Sequence, residues 1–429
     1  MQVIRGQLVS FANPVGQYWH EVRGALVVGP DGRVLWLGAA ARMPNVYADA
    51  PVSDYGDCLI LPGFIDAHVH FPQYRLLAAP GKDLLDWLHR FTFPEEARYG
   101  DPAHAAATAR IFIDRLFQHG TTAAAAYCSV HKTCADTLFA EAERRNMSLV
   151  TGKTLMDRLA PDALCDNANS DMRETVELYR QWHGRGRLRY AVTPRFAITS
   201  SEGQLQRCGE LIADLPEALL QTHLSESPGE LAAVRELFPD EPDYTAVYDR
   251  FGLVTDRSLF AHGIHLSERE CQRLHEAGSS VIHCPTSNNF LGSGLMRFAQ
   301  FRDSARPIAY GIATDVGGGT SYSMLQTLGE AYKVQMLSGY RPTAIELFHL
   351  ATRGNAERLK LDHEIGALET GKWADLVVLD PRATPVLADR ADLSETLEDT
   401  LFALALLGDD RAVRATYVAG SKVHERLSA

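Results

Sequence analysis

Short apolar segments alternate with amphipathic, helix-like segments through the middle of the chain. Eight of the apolar segments have the length and residue types of buried β-strands. They span residues 59–65, 121–126, 149–151, 188–192, 218–222, 258–261, 280–282 and 308–314. Regular alternation of strands and helices predicts an α/β fold with a parallel sheet, and eight such units predict a closed (β/α)8 barrel.

The two ends of the chain have a different pattern, in which short β-rich segments follow one another without helices between them. These segments cover residues 8–11, 24–28, 34–38, 374–379 and 412–418, with a Gly-Pro-Asp-Gly turn at 29–32. We predict that both ends form one small composite β-sandwich. The predicted domains are therefore 1–61 (N-terminal part of the sandwich), 62–365 (barrel) and 366–429 (C-terminal part of the sandwich).

Composition narrows the class of protein. The net charge is −12, so the chain lacks the clustered Lys and Arg expected of a protein that binds nucleic acid or an anionic membrane. No apolar segment approaches the ~20 residues of a membrane-spanning helix. The first residues do not resemble a signal peptide, and seven scattered cysteines suit reduced thiols in the cytoplasm. No Cys-x-x-Cys pair occurs, which disfavours a cysteine-based zinc site.

Polar residues of a few types follow the predicted strands directly. In a barrel, the C-terminal ends of the strands meet at one mouth, where catalysis takes place. Residues i and i+2 of a strand point to the same side, so the two histidines of His-Val-His at 68–70 can bind one ion. The residues at strand ends are His68, His70, Arg195, His223, His262 and Asp315.

These residue types indicate a metal centre, although each has an ordinary alternative. An isolated His-x-His is more often a pair of hydrogen-bonded histidines, and Asp315 alone could cap the following helix. Glu226, three residues after His223, could be a surface residue. The combination at four strand ends favours a metal. Nitrogen and carboxylate ligands suit Zn²⁺, at about 2.0–2.2 Å, and Fe²⁺ is chemically possible.

Several motifs around these residues resemble a known family. PGFIDAHVH at 62–70, HLSE at 223–226, AHG at 261–263, HCPTSN at 283–288 and TDVGGG at 314–319 are similar to the amidohydrolase superfamily. FPQ at 71–73, LLDWLHRFTFPEE at 84–96, TPRF at 193–196 and TSYSML at 320–325 resemble, more narrowly, the guanine deaminases. The resemblance continues through GALETGKWADLVVLD at 366–380 and so covers nearly the whole chain.

The resemblance implies a reaction and a role for each matching residue. The reaction is hydrolytic deamination of guanine to xanthine and ammonia. Catalytic roles fall to Glu226, which moves protons, to Asp315, which accepts a proton from water, and to His262. One metal ion, Zn²⁺ with Fe²⁺ not excluded, is bound by His68, His70, His223 and Asp315. The purine is bound by Gln73, Arg195 and Phe196. Trp87, as an aromatic ring that can stack on the purine, and His262 are further candidates for contact with the substrate. A homodimer is also implied.

Some of these assignments have alternatives. Superfamily members with two metals use a lysine near the fourth strand, but Thr193-Pro194-Arg195 contains none, which favours one metal. His262 is either a contact of the attacking water or a ligand, and Trp87 is equally well a core residue. The substrate alternatives are a related purine, a pterin or a triazine. A non-enzymatic scaffold homologue is an alternative from another class, although such proteins usually lack metal ligands.

Overall fold

Sixteen β-strands form two sheets in the computed structural model, which describes residues 1–167 and 170–426. In chain order the strands are β1 (Gln2–Ala12), β2 (Gln17–Val28), β3 (Val34–Ala39), β4 (Val52–Pro62), β5 (Phe64–His70), β6 (Thr121–Tyr127), β7 (Ser148–Gly152), β8 (Thr154–Leu155), β9 (Leu188–Pro194), β10 (Leu219–Leu224), β11 (Ser258–His262), β12 (Ser280–His283), β13 (Ala309–Ile312), β14 (Leu376–Leu379), β15 (Val413–Val418) and β16 (Ser421–Glu425).

The strands β5 to β13 form the predicted parallel barrel. Their order is β5-β6-β7-β9-β10-β11-β12-β13, with the short strand β8 paired to β9, and every pair is parallel. Nearly all of their side chains are buried, because helices cover the outside and the barrel core fills the inside. The parallel barrel predicted from strand and helix alternation is confirmed.

The side chain of Asn355 joins the first and last strands of the barrel. Its Nδ2 donates to the carbonyl oxygens of Ile65 on β5 (2.6 Å) and Ile312 on β13 (2.7 Å), and its Oδ1 accepts from the amide of Ile312 (3.0 Å). Asn355 is fully buried. At the end of β5, the amide of His70 donates to the carbonyl oxygen of Val316, which lies beyond β13, at 2.7 Å. A side chain therefore replaces part of the backbone ladder between β5 and β13.

The segment predicted as the first barrel strand, 59–65, is in fact two strands of different sheets. β4 ends at Pro62 and β5 begins at Phe64, so the chain passes from the end sheet into the barrel at Gly63. A Cβ atom at Gly63 would lie 2.2 Å from Oγ1 of Thr122, so only glycine fits. Apolar residues continue on both sides of this point because both strands are buried, and the pattern alone hides the boundary.

Both chain ends form one mixed sheet, in the order β16-β15-β14-β4-β1-β2-β3. The predicted composite unit is confirmed, and its seven strands are hydrogen-bonded continuously. Alternate side chains from its two halves, including Ile4, Leu26, Ile60, Leu376 and Tyr417, pack into one core. The last three residues of the predicted range 366–429 lie outside the described residues.

Sixteen α-helical segments occur in the described part of the chain, and most of them connect barrel strands. None of them is long and apolar enough to cross a membrane. They are α1 (Leu84–Trp87), α2 (Phe93–Glu96), α3 (Pro102–Gln118), α4 (Lys132–Arg144), α5 (Asp171–Trp182), α6 (Glu202–Asp214), α7 (Pro228–Leu237), α8 (Tyr244–Arg250), α9 (Glu268–Ala277), α10 (Pro285–Phe290), α11 (Phe298–Phe301), α12 (Met324–Leu337), α13 (Ala344–His349), α14 (Asn355–Arg358), α15 (Pro385–Ala391) and α16 (Leu397–Leu407).

Candidate active site

Three imidazoles and one carboxylate meet at the C-terminal mouth of the barrel. His68 and His70 lie on β5, and their Nε2 atoms are 3.2 Å apart. His223 on β10 places its Nε2 3.3 Å from that of His70. Asp315, beyond β13, places Oδ1 3.2 Å from Nε2 of His68 and 3.3 Å from Nε2 of His70. All four residues are buried.

These distances and protonation states fit one bound metal ion. Four tetrahedral ligands at about 2.1 Å from an ion lie about 3.4 Å from one another, close to the spacing observed. Burial lowers the pKa of His70 to about 3 and that of His223 well below its usual value, so both rings are neutral, as metal ligands must be. Burial alone would raise the pKa of Asp315, but hydrogen bonds with His68 and His70 keep it well below its usual range.

The ring of His223 is oriented by the backbone. Its Nδ1 lies 2.7 Å from the carbonyl oxygen of Arg195, which directly follows β9. A carbonyl only accepts, so Nδ1 carries the proton and the lone pair of Nε2 faces the centre of the site. The neighbouring strand thus fixes the tautomer that a metal requires.

A second group of potential ligands overlaps the first. Ligand atoms of His68, His262, Cys284 and Asp315 also lie within 4.8 Å of one another. In this group, however, Nε2 of His262 is 3.9 Å from Oδ2 of Asp315, farther than the spacing between His68, His70 and Asp315. The set with His70 and His223 therefore fits a single ion better. The cysteine at 284 was not singled out as a ligand in the sequence.

Glu226 and His262 lie next to this cluster. Oε2 of Glu226 is 3.4 Å from Nε2 of His262, and Ser293 Oγ donates to Oε1 of Glu226 at 3.4 Å. Burial, and then the charge of Asp315, raises the pKa of Glu226 to about 8. Its carboxyl group is therefore protonated at neutral pH. Asn288 Oδ1 lies 2.8 Å from Nδ1 of His262 and orients that ring.

The backbone turns sharply where the site residues leave their strands. Ser225, His262 and Asp315 have φ values of 50°, 70° and 51°, in the left-handed region that favours glycine. Non-glycine residues adopt this conformation only where the surrounding structure enforces it. These turns aim the side chains of Glu226, His262 and Asp315 into the mouth.

Glu230 supports the position of Glu226 and was missed in the sequence. Its Oε2 accepts hydrogen bonds from the amides of Glu226 (2.7 Å) and Ser227 (3.3 Å), and its Oε1 accepts from the hydroxyl of Tyr244 (2.9 Å). Burial, and then Glu226, raises its pKa to about 7. The pattern Ser-x-x-Glu at 227–230 is the signature of a helix capping box and would have indicated this residue.

A cavity opens onto the cluster. Of the site residues predicted from the sequence, all but His68 line it, and His68 lies next to His70, which does line it. Trp87 is 3% exposed and lines the cavity, so it is both a buried residue and a wall of the site. Leu84 and Leu88, beside Trp87, add apolar surface that the sequence did not reveal. The complete set of predicted residues lining the cavity is His70, Gln73, Trp87, Arg195, Phe196, His223, Glu226, His262 and Asp315.

Gln73 and Arg195 are joined by a residue to which the sequence assigned no role. Nη1 of Arg195 donates to both carboxylate oxygens of Glu96, each at 2.8 Å, and Nε2 of Gln73 donates to Oε1 of Glu96 at 2.9 Å. Glu96 is fully buried at the end of α2. It lies within the segment 84–96 that carried the family resemblance, but its partners are far away in the sequence and gave no signal.

A barrel whose mouth combines three histidines, an aspartate and a buried acid defines a metal-dependent hydrolase. The model of the amidohydrolase family matches residues 59–423. Guanine deaminase of Escherichia coli K12 is 44% identical over 433 aligned positions, which cover 99% of this chain and 98% of that protein. The chain belongs to the amidohydrolase family and, within it, to the guanine deaminases.

Solved structures agree with this assignment. The structure of E. coli guanine deaminase matches with a TM-score of 0.95 at 42% identity and covers 100% of both chains. That of guanine deaminase from C. acetobutylicum, which has guanine bound in its active site, matches with a TM-score of 0.89 at 28% identity and covers 99% of this chain and 100% of that one. The amidohydrolase family generally uses a divalent metal, in keeping with the His and Asp cluster.

Proposed function

We propose that this protein converts guanine and water to xanthine and ammonia. The observation that carries the proposal is that the buried carboxyl group of Glu226 lines the same cavity as the His and Asp cluster, Arg195 and Gln73. The carboxyl group and the His and Asp cluster suit hydrolysis of a C–N bond between a ring carbon and its amino group. Arg195 and Gln73 suit a purine with several polar edge atoms. The guanine deaminases with which the chain aligns over nearly its whole length support this substrate.

We propose one Zn²⁺ ion per chain, bound by His68, His70, His223 and Asp315, with Fe²⁺ fitting the same donors. No lysine lines the cavity in the described part of the chain, which supports a site for one metal. When bound, such an ion supplies a water molecule that ionises near neutral pH. Oδ1 of Asp315 faces His68 and His70, whereas Oδ2 faces His262. We therefore assign Oδ2 as the oxygen that accepts a proton from the attacking water.

Glu226 is proposed to move protons on the substrate. Its carboxyl group donates a proton to N3 of guanine, which makes C2 more electrophilic as the water oxygen forms a bond to it. The resulting carboxylate accepts the hydroxyl proton at C2 and passes it to the amino group, and the C2–N bond breaks to release ammonia. The proton on Asp315 then restores Glu226. General acid–base steps of this kind contribute ~10²–10⁴-fold to the rate.

His262 is proposed to orient the reacting water and to stabilise the negative charge that develops on the oxygen as it bonds to C2. Its Nε2 is directed toward both Glu226 (3.4 Å) and Asp315 (3.9 Å), at the centre of the site. Asn288 on the other ring nitrogen keeps this direction fixed. His262 is left out of the proposed ligand set because its Nε2 is 3.9 Å from the nearer carboxylate oxygen of Asp315, whereas that of His70 is only 3.3 Å away.

The proposed purine contacts follow from donor and acceptor geometry. Arg195 presents donors to the acceptors O6 and N7, and the amide of Gln73 offers both a donor and an acceptor to the O6 and N1–H edge. Phe196 and Trp87 provide aromatic surface against the ring face. A site that hydrogen-bonds a polar group rejects analogues without it by about 10⁴–10⁵ when the match is good.

The proposal is tested by product formation from a panel of substrates. Purified protein is incubated with guanine, adenine, a pterin and an amino-triazine, with and without a chelator, and ammonia and xanthine are measured. We expect guanine to be the preferred substrate and the chelator to abolish turnover. Preference for a pterin or triazine would contradict the substrate assignment, and ammonia release unaffected by metal removal would contradict the mechanism. Bound metal without any turnover would favour a scaffold.

We propose that the protein acts in the cytoplasm, without a nucleic-acid or membrane partner. The net charge of −12 supports the absence of such partners, and the seven cysteines, all among the described residues, form no disulfide. A homodimer, implied by the family resemblance, stays a prediction.

A further inference from the structure

The carboxylate of Glu96 connects the two residues proposed to recognise the polar edge of the purine. It accepts two hydrogen bonds from Nη1 of Arg195 and one from Nε2 of Gln73. The ion pair is almost completely removed from water, with side-chain exposures of 4% for Arg195 and 0% for Glu96. A buried charged pair with several hydrogen bonds has a narrow range of allowed geometries.

Glu96 determines which atoms of these residues remain available. Nη1 of Arg195 is engaged, while Nε and Nη2 have no hydrogen bond to other residues in the described part of the chain. The side-chain amide of Gln73 has a fixed orientation, because its Nε2 donates to the carboxylate of Glu96 and its Oε1 accepts from the backbone amide of Gly317 at 3.2 Å. One N–H and one lone pair of Gln73 stay free. The site thus presents a defined pattern of donors and acceptors before any ligand binds.

We propose that Glu96 is a positioning residue for purine specificity: it fixes Arg195 and Gln73 so that they select ligands with the O6 and N1–H edge of guanine. The proposal rests on the proposed function, since it concerns the same cavity. Glu96 does not line that cavity and acts only through its two partners. Replacing its carboxylate by an amide places an N–H₂ group against Nη1 of Arg195 in either orientation, and also against Nε2 of Gln73 when the nitrogen takes the Oε1 position, so at least one partner must move.

The neighbouring residue provides a matched control. Glu95 is also a glutamate of α2 with a nearly buried side chain, and it forms ion pairs with Arg75 (2.8 Å) and Arg98 (3.0 Å). Those arginines are half-exposed and do not line the cavity. Glu95→Gln therefore removes a similar charge from the same helical turn without touching the proposed recognition pair.

The test measures binding of two ligands that have no amino group to lose, hypoxanthine, which has the O6 and N1–H edge, and purine, which lacks it. Dissociation constants are measured by calorimetry on the metal-loaded full chain for the original protein, Glu96→Gln, Glu96→Asp and Glu95→Gln. We expect Glu96→Gln to weaken hypoxanthine binding about 10- to 100-fold and purine binding less than about threefold. Glu95→Gln should change neither, and metal content should stay constant in all variants.

A double variant separates positioning from general damage. In an Arg195→Ala background, Glu96→Gln should weaken hypoxanthine binding far less than it does alone, because its main route of action is gone. Three results would overturn the proposal. Glu96→Gln weakens the binding of hypoxanthine and purine equally, it changes hypoxanthine binding no more than Glu95→Gln does, or its effect on hypoxanthine binding is fully additive with that of Arg195→Ala. Glu96→Asp, which keeps the charge but is too short to reach both partners, supplies the same comparison if Glu96→Gln folds poorly. If the original protein binds neither ligand and does not deaminate guanine, the proposed function itself falls.

Discussion

Nδ1 of His223 lies 2.7 Å from the carbonyl oxygen of Arg195, so one residue serves both halves of the site. The backbone of Arg195 orients a proposed metal ligand, and its side chain lines the cavity beside Glu96. Because the carbonyl oxygen is present in every amino acid, the two contributions are separable by substitution.

Arg195→Ala should therefore retain the metal and lose affinity for guanine. The carbonyl that orients His223 remains, whereas the donors proposed for O6 and N7 are removed. We expect KM to rise about 10- to 100-fold, as for loss of hydrogen bonds from a charged group. Steady-state kinetics and elemental analysis check this. An unchanged KM would show that the purine does not contact Arg195, and loss of the metal would show that the side chain is needed to orient His223.

Glu226→Gln should keep the metal and lose most turnover. Gln has nearly the same shape, so the hydrogen bond to Ser293 and the cluster beside it are preserved, but its amide has no acidic proton to transfer to N3. We expect kcat to fall by ~10²–10⁴-fold. Glu217→Gln, at a side chain that is 79% exposed, is the control and should be fully active. Near-normal turnover of Glu226→Gln would remove this residue from the mechanism.

Substitution of single ligands distinguishes the two overlapping ligand groups. His70 belongs only to the group with His68 and His223, and Cys284 only to the group with His68, His262 and Asp315. We expect His70→Ala to lose the bound ion and Cys284→Ser to retain about one ion per chain. Elemental analysis after dialysis measures both. The reverse result would move the metal to the cysteine-containing group and contradict the proposed ligand set.

Glu230 should make the stability of the protein depend on pH. Its pKa is about 7 in the folded protein, compared with 4.5 for a free glutamate. Between these values the folded protein binds a proton that the unfolded chain has lost, so this contribution to the free energy of unfolding is complete below pH 4.5 and disappears as pH rises through 7. The Glu230→Gln variant lacks this pH-dependent contribution, because glutamine does not titrate. The Tm of Glu230→Gln relative to the original protein should therefore increase between pH 5 and about 7.5. A difference in Tm that is constant over this range would contradict the raised pKa of Glu230.

Asn355→Leu should destabilise the barrel. The substitution fills a similar volume but leaves the amide of Ile312 and the carbonyls of Ile65 and Ile312 without their buried partner. Each unsatisfied group costs about 1–3 kcal/mol, so the three groups together should lower the free energy of unfolding by about 3–9 kcal/mol. Denaturant titration measures it, with the exposed Asn289→Leu as control. Stability equal to the control would show that backbone contacts alone close the barrel.

Local patterns predicted the barrel and the residues at its mouth, because period and strand ends are properties of short segments. His68 and His70 were placed on one side by a two-residue spacing, and Asp315 by its position after an apolar strand. The boundary at Gly63 was missed because burial is continuous across it. Glu96 and Asn355 were missed for a different reason: their partners are brought close only by the complete fold. Trp87 could not be decided from sequence, since a cavity wall and a core have the same composition.

The order of strands in the end sheet has a consequence for synthesis of the protein. β14 lies between β4 and β15, yet it begins about 310 residues after β4 ends. At about 5–20 residues per second, the ribosome needs tens of seconds to make the chain between them. During that time the nascent polypeptide carries an open strand edge, which is a template for pairing with other chains. Ribosome-bound fragments that stop before residue 376 should therefore aggregate unless a chaperone covers this edge. Once the C-terminal segment is made, β14 pairs with β4 and the edge is no longer open.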